Sequence, residues 1–449
     1  MTEIPAVSPE TPRGTRLALG RLATIRTIRI GPLPLAVYLA LCAVTILAAV
    51  SGRLPNDVIG GLSVLMLTGF LLGELGGRLP VLRHIGGTAI LCLFVPAALV
   101  GNGVADPAMV KAVTTTFKTA NFQYFYIACL VAGSILGMPH RVLVQGFLRM
   151  FAPLLGGTLA ALAIGICVGL LFGYGPAHTF FFILVPILGG GLGEGVLPLS
   201  AGYAEILGRP QADLMGMMVP AALLGNVAAI IGCGLLNRFG QRNPHYNGKG
   251  MLVRSGADQD LLAERAPDRP IELRLMGAGL LLACGLFILG TQLAPVTGIP
   301  APILMIVGSA LLKLARVLPA EMELGAYQIN RFMSTNLTFA ILVAMGALLV
   351  SWPQLVGSFT MGYVAICTAT VAAMIAAGFF IGHRMRMYAV EAAIVTACHS
   401  GLGGTGDVAI LSASDRMGLM PFAQISTRIG GAAMVVIATV LLRALGGVS

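Results

Sequence analysis

Apolar runs of about 17 to 25 residues, the length that crosses a bilayer as a helix, recur along the chain between short polar stretches. They predict helices over 33–50, 58–74, 87–103, 123–138, 152–174, 212–236, 274–293, 301–317, 334–352, 359–381 and 420–442, eleven in all. Two further stretches, 177–200 and 390–413, are too broken by Gly and Pro for one straight helix. Each reads as a re-entrant hairpin that enters and leaves on one side. Their glycine-crowded ends correspond: GGGLGEGVLPLSA at 189–201 and GLGGTGDVAILSA at 401–413 both close on Leu-Ser-Ala. A constant offset of 212 pairs Gly191 with Gly403, Val196 with Val408, Leu199 with Leu411 and Ser200 with Ser412. The pattern predicts an all-α polytopic membrane protein of about eleven transmembrane helices, built from two inverted repeats with one hairpin each.

Composition agrees with a membrane protein. Hydrophobic residues make up 57% of the chain, charged residues 10%, and the mean hydropathy is +0.90, whereas a soluble domain carries about a quarter charged residues. The net charge of +10 reads as topology rather than as a nucleic-acid surface. With the N-terminus inside, 22 of the 28 Lys and Arg residues fall in cytoplasmic segments and five outside, and Arg428 alone remains within a span. Positive charge marks the cytoplasmic side, so the N-terminus is expected inside and the C-terminus outside. The hairpins then enter from opposite faces. The eight cysteines are scattered through apolar runs with no metal-ligand spacing, and read as small core residues.

Residues 1–30, polar and rich in Pro, Thr and Arg without an apolar h-region, read as a disordered cytoplasmic tail and not a signal peptide. The first repeat is then expected over 31–237 and the second over 273–449, joined by a polar cytoplasmic linker at 238–272.

The candidate chemistry lies where the helical pattern breaks. Backbone N–H and C=O groups in hydrocarbon must be paired, so a glycine run that leaves the helix is tolerated only where protein or a polar cavity receives it. Gly189, Gly190, Gly191 and Gly193 form one such cradle, and Gly401, Gly403, Gly404, Thr405 and Gly406 the other. Exposed N–H groups and the positive ends of short helices suit an anion. Tight helix packing is the alternative use of such glycines. Arg428 lies inside the last apolar run, where a guanidinium costs about 2.5 kcal/mol or more. A bound carboxylate would compensate that cost, and snorkelling to the interface is the alternative. Glu194, Glu391, His399 and Asp407 are the other ionisable groups at the hairpins. Asp407 either caps the distal half-helix or helps bind a cation, and Glu194 either takes a proton or faces water. Asn226, Ser200, Ser400 and Ser412 are suited to lining a cavity or to ordinary interhelical hydrogen bonds.

GELGGRLPVLRHIGG at 73–87, the hairpin with PLS at 198–200, GTGDVAILSASDRM at 404–417 and AQISTRIGG at 423–431 together resemble the bacterial 2-hydroxycarboxylate transporter family. Its members include sodium–citrate and sodium–malate symporters and citrate or malate exchangers. The likeness covers nearly all of the chain after residue 30. It implies a non-enzymatic secondary transporter in the bacterial inner membrane. It further implies a homodimer whose protomers each hold a dimerisation domain and a transport domain moving like an elevator. A small organic anion and a coupling cation, Na+ or H+, are the implied partners, with no enzymatic cofactor and no nucleic acid. By resemblance, substrate would meet Gly190, Gly191, Leu192, Gly193, Leu402, Gly403, Gly404, Thr405 and Arg428. The cation would lie near Gly189, Asn226, His399, Ser400, Gly401 and Asp407, in sites built more from carbonyls, hydroxyls and amides than from carboxylates. Precursor/product exchange is the alternative to symport.

Citrate carriers place an Asn in the first tip and an Arg before the second glycine pair, where this chain has Leu192 and Leu402. The stretch from Glu391 to Gly403 is also one residue shorter. Both departures favour a malate-like di- or monocarboxylate over citrate. Two other classes fit less well. GTGD at 404–407 matches the GxGD of intramembrane aspartyl proteases, but no second buried aspartate is present to share the proton. A channel would show a symmetric pore-lining ring.

Overall fold

The computed structural model describes residues 29–80, 87–138, 140, 147–254, 270–297, 299, 301–350 and 352–445. The expected tail before residue 29, part of the motif at 73–87 and the middle of the expected linker, 255–269, lie outside the described residues.

The chain is almost wholly helical. In order it forms α1 (Leu35–Val50), α2 (Val58–Arg78), α3 (Gly87–Gly101), α4 (Pro107–Thr119), α5 (Phe122–Leu136) and α6 (Phe147–Leu171). The first hairpin follows as α7 (Pro176–Leu188) and α8, a π-helical turn at Leu192–Val196 continuing as Leu197–Leu207, and then α9 (Gln211–Arg242). The second half runs through α10 (Leu273–Thr297), α11 (Ala301–Ala315), α12 (Ala320–Asn336), α13 (Thr338–Leu349), a short α14 (Trp352–Ser358) and α15 (Met361–Arg384). The second hairpin is α16 (Ala389–Ser400) and α17 (Gly404–Ala413), and α18 (Met417–Ala444) ends the described chain. Among the described residues, the sheet content is one antiparallel pair of two-residue strands, Arg29–Ile30 and Leu33–Pro34, and the isolated bridge Val253 to Met387.

Among the described residues, six helices, α2, α6, α9, α10, α15 and α18, are long and apolar enough to cross a membrane, and up to eight segments are if each bent pair is one span. The bent pairs are α4 with α5 (54°) and α12 with α13 (58°). Helices α1, α3 and α11 are apolar but only 16, 15 and 15 residues long, about 23 Å at 1.5 Å per residue. Outward faces of α1 and α11 suit lipid: Leu47 of α1 is 69% exposed and Leu311 of α11 62%.

Two polar stretches expected as loops are helices instead. Residues 107–119 start on the cap of Asp106, whose carboxylate accepts from Ala108 N and Met109 N with Pro107 at the first helical position, and turn at Asn121 (φ 52). Residues 320–336 carry Glu321, Glu323, Gln328 and Asn330 on a helix whose apolar face packs on α5 and α10. Their polar groups find partners: Asn330 Nδ2 donates to Leu130 O at 2.7 Å, and Lys313 Nζ binds both Glu323 at 2.7 Å and Leu136 O at 2.8 Å. A burial pattern with partnered polar positions does not read as an apolar run, which is why periodicity passed over both helices.

The helices pack into two bundles, each drawing on both halves of the sequence. One joins α2–α5 to α10–α13; the other joins α6–α9 to α15–α18, with α6 lying along α15. The start of the expected linker is not a loose connection. Helix α9 extends to Arg242, and residues 243–254 fold back on the second hairpin: Tyr388 N donates to Leu252 O at 2.9 Å, and Gly248 N to Glu391 Oε2 at 2.9 Å. Glu391 also pairs with Arg416 at 3.0 Å, and Arg416 Nη2 reaches Asn247 at 2.7 Å. Glu391 therefore ties the mouth of the hairpin to this strap. The cysteines divide: Cys92, Cys129, Cys233, Cys367 and Cys398 are buried, whereas Cys167 is exposed on the outer face, so the expectation of core placement fails there.

Candidate functional site

The two glycine tips meet in the second bundle. Gly190 and Gly191 take φ of 81° and 112°, and Gly403 takes 74°, the region that favours glycine. Closeness makes the same demand. A Cβ on Gly191 would lie 2.8 Å from Leu402 C and 2.9 Å from Gly403 Cα, and one on Gly431 would lie 2.5 Å from Gly190 Cα. Three chain segments, the tips Gly189–Gly191 and Gly401–Gly403 and the Gly430–Gly431 turn of α18, thus touch backbone to backbone.

Around this contact the last helix widens into a π-helical turn at Ile425–Gly430, a distortion that re-aims side chains and recurs at functional sites. It carries Thr427 and Arg428. Arg428 is partly buried, and its Nη1 donates to Ser134 O of α5 at 3.2 Å. Among the described residues no other hydrogen bond holds its guanidinium. The wide turn Leu192–Val196 after the first tip carries the partly buried Glu194, and the Ser134 hydroxyl donates to Val131 O at 3.0 Å. The arrangement offers a guanidinium fork with open donors on the helix turn that meets the two backbone tips, donors of the kind a carboxylate accepts from.

Thr427 points the other way. Its Oγ1 lies 2.6 Å from Asp407 Oδ1, 2.9 Å from Cys398 O and 3.0 Å from Ala423 O, all buried. One hydroxyl proton cannot serve three acceptors, and converging oxygens suit a hard cation. Among the described residues, no cluster of three His, Cys, Asp or Glu is present. Asp407 is not the cap of α17: it lies inside the first turn, its N–H donates to Gly403 O at 3.0 Å, and its carboxylate goes to Thr427.

The expected site residues divide accordingly. Gly190, Gly191, Leu402, Gly403 and Arg428 converge, Leu192 and Gly193 follow the first tip, and Gly404 and Thr405 open α17; the Thr405 side chain lies outside what the structure describes. On the cation side, Gly401 lies against Asp407, where its Cβ would be 2.9 Å from Oδ1. Several expected cation ligands have other partners. Asn226 Oδ1 accepts from Leu402 N at 3.2 Å, which fixes the amide orientation and leaves a buried Nδ2 with no partner among the described residues. Its free group is a donor, which suits an anion better than a cation. The Ser400 hydroxyl donates to Ala397 O at 2.8 Å, and His399 Nδ1 lies 3.2 Å from Thr158 Oγ1. Gly189 directs its carbonyl to Gly195. Ser200 bonds Leu197 O and Gln211, so it supports the fold of α8. Thr427 and the Cys398 carbonyl were not expected. Only the adjacency of Thr427 to Arg428 in STRIGG pointed to it, and a carbonyl ligand leaves no trace in side-chain identity.

The sequence model of the 2-hydroxycarboxylate transporter family matches residues 30–440. A Na(+)-malate symporter of Bacillus subtilis is 51% identical over 414 residues, covering 92% of both chains. A citrate/malate-proton symporter of the same organism is 40% identical with 94% of each chain covered, and a citrate/sodium symporter of Salmonella typhimurium is 28% identical over 91% of this chain and 93% of its own.

Proposed function

The chain belongs to the 2-hydroxycarboxylate transporter family, and from that membership we propose that it carries a malate-like dicarboxylate into the cell by symport with Na+. As a membrane transporter it is not an enzyme. The observation that carries the reading is the meeting of the two tips beside Arg428, with its open donors on one side and the oxygen cluster of Asp407, Thr427 and Cys398 on the other. An anion and a cation placed back to back lower each other's cost of leaving water, which is the electrostatic basis of coupled transport. The identity to a Na(+)-malate symporter supports malate and sodium, and Leu192 and Leu402, buried at the tips, leave a third carboxylate without a partner.

In this reading α1, α3 and α11 join the eight longer segments as spans, making eleven, and the matched order of elements in the two halves reflects inverted repeats. The second bundle moves substrate past the first in an elevator-like displacement. The first bundle forms a homodimer in the bacterial plasma membrane, with the N-terminus cytoplasmic. Uptake of labelled malate, lactate and citrate into proteoliposomes, with sodium and proton gradients imposed separately, tests the proposal. Malate uptake accelerated by an inward sodium gradient is expected. Preference for citrate, or no response to sodium, overturns it.

A further inference from the structure

The seam between the two bundles carries an apolar groove of about 480 Å³ next to the contact of Arg428 with Ser134 O. Ile135 of α5 and Ala310 and Leu314 of α11 line it from the first bundle. Leu148 of α6 and Ile429 and Ala432 of α18 line it from the second. Ile135 and Ile429 are the chain neighbours of Ser134 and Arg428. The alanines Ala310, Ala432 and Ala433 leave the groove deep where larger side chains would close the seam. Every lining residue among those described is apolar. Leu148, Leu311 and Ile437 are also exposed on the outer surface, so the groove opens sideways, toward lipid in a chain that spans the membrane.

Apolar lining alone selects no occupant at membrane depth, because acyl chains are as apolar as leucine. Length and charge do. The groove runs from Ile306 to Leu314 on α11 and from Ile429 to Ile437 on α18, about 12 Å of each helix at 1.5 Å per residue. That is close to half of the roughly 30 Å hydrocarbon core, the depth of one leaflet. One end carries cations from both bundles. Arg316 lies just past Leu314, exposed, with its Nη2 2.9 Å from His140 Nδ1, and the partly buried Arg149 follows Leu148 on α6. On α11 itself Lys313 neutralises Glu323 at 2.7 Å. This is the cytoplasmic end in the topology proposed above, and basic groups between transmembrane helices on that side attract anionic headgroups.

We propose that the groove is a lipid site: an acyl chain of an anionic phospholipid from the cytoplasmic leaflet lies between the bundles, with its phosphate at Arg316 and Arg149. The lipid completes a surface that each bundle supplies only in part. Sliding one bundle past the other divides the lining, so the lipid binds the arrangement seen here better than a displaced one. Occupancy then shifts the population toward it. Binding stands without the transporter reading, whereas its effect on uptake rests on the two moving bundles of that reading.

Protein purified in mild detergent is mixed with equal amounts of phosphatidylglycerol and phosphatidylcholine, and the lipid retained per protomer is counted by native mass spectrometry. Wild type should retain close to one phosphatidylglycerol, in several-fold preference to phosphatidylcholine. Arg149→Gln with Arg316→Gln should lose the preference, and Ala433→Phe, which fills the groove from an exposed position, should lose the lipid. Equal retention of the two lipids by wild type, or a preference unchanged in both variants, overturns the site. In phosphatidylcholine vesicles with rising phosphatidylglycerol, the maximal rate of malate uptake by wild type should fall several-fold and that of Ala433→Phe should stay level. A surface-charge effect slows both equally, and that result overturns the link to the arrangement of the bundles. If Ala433→Phe does not fold, the double arginine variant decides both measurements. Wild type that holds the lipid but takes up no 2-hydroxycarboxylate in any vesicle overturns the transporter reading and leaves the lipid site standing.

Discussion

Arg428→Ala should cost roughly 100-fold in apparent malate affinity and little in stability. The guanidinium holds one protein hydrogen bond, to Ser134 O at 3.2 Å, so its remaining donors are open to a ligand among the described residues. A net charge-assisted hydrogen bond is worth about 1.5–3 kcal/mol. Two such bonds to one carboxylate, at the low end of that range, give about 3 kcal/mol, near 100-fold at 1.4 kcal/mol per tenfold. Lys offers a point charge in place of the planar fork, and Arg428→Lys should recover about one bond, leaving a loss of roughly tenfold. Stability runs the other way. A guanidinium at membrane depth costs about 2.5 kcal/mol or more, and its removal gives up one protein hydrogen bond, to Ser134 O. The melting temperature in detergent should therefore hold or rise. Initial uptake rates over a malate series, beside melting curves of the same preparations, separate the two effects. An unchanged KM in Arg428→Ala refutes the assignment and makes the arginine a scaffold contact. A KM loss matched by a fall in melting temperature attributes it to unfolding.

Gly191→Ala should abolish uptake, because its φ of 112° disfavours any side chain and the new Cβ meets backbone of the second tip. Gly175→Ala, with open space around it, should transport normally in the same assay. Glu391→Gln leaves Arg416 buried without its charge partner, a loss of about 3–5 kcal/mol for a broken buried pair, read as a lower melting temperature. Glu391→Gln with Arg416→Met should recover part of it. Leu402→Arg adds a cation at the second tip and should shift competition between citrate and malate toward citrate. An unchanged ratio argues against selection at this tip.

Apolar run length made the long helices legible, and the two broken segments stood out because Gly and Pro interrupt them. Helices α4 and α12 were missed because Lys111, Lys118, Glu323 and Asn330 look like loop residues until tertiary partners such as Lys313 and Leu130 O satisfy those that are buried. The site was legible to the extent that it depends on backbone. Gly190, Gly191 and Gly403 were visible because only glycine suits those positions. The partners of polar side chains were not: Asn226, Ser400 and His399 have the right chemistry for a cation, yet Asn226 Oδ1, the Ser400 hydroxyl and His399 Nδ1 are engaged with Leu402 N, Ala397 O and Thr158 Oγ1. Hydrogen-bond assignment depends on which of several nearby partners the packing brings within 3 Å, and one sequence does not encode that locally.

The contact of three glycine segments has a genetic consequence. Any replacement at Gly190, Gly191 or Gly431 introduces a Cβ against main-chain atoms of the facing segment, and main chain cannot rotate away as a side chain can. The frame of the site therefore offers few tolerated mutations, whereas positions 192, 194 and 402 carry side chains beside it. New specificities are reachable by point mutation at those three positions without passing through a broken intermediate. In a saturation library, the glycine frame should be depleted almost uniformly while those three positions yield variants that still transport and differ in the anion they accept.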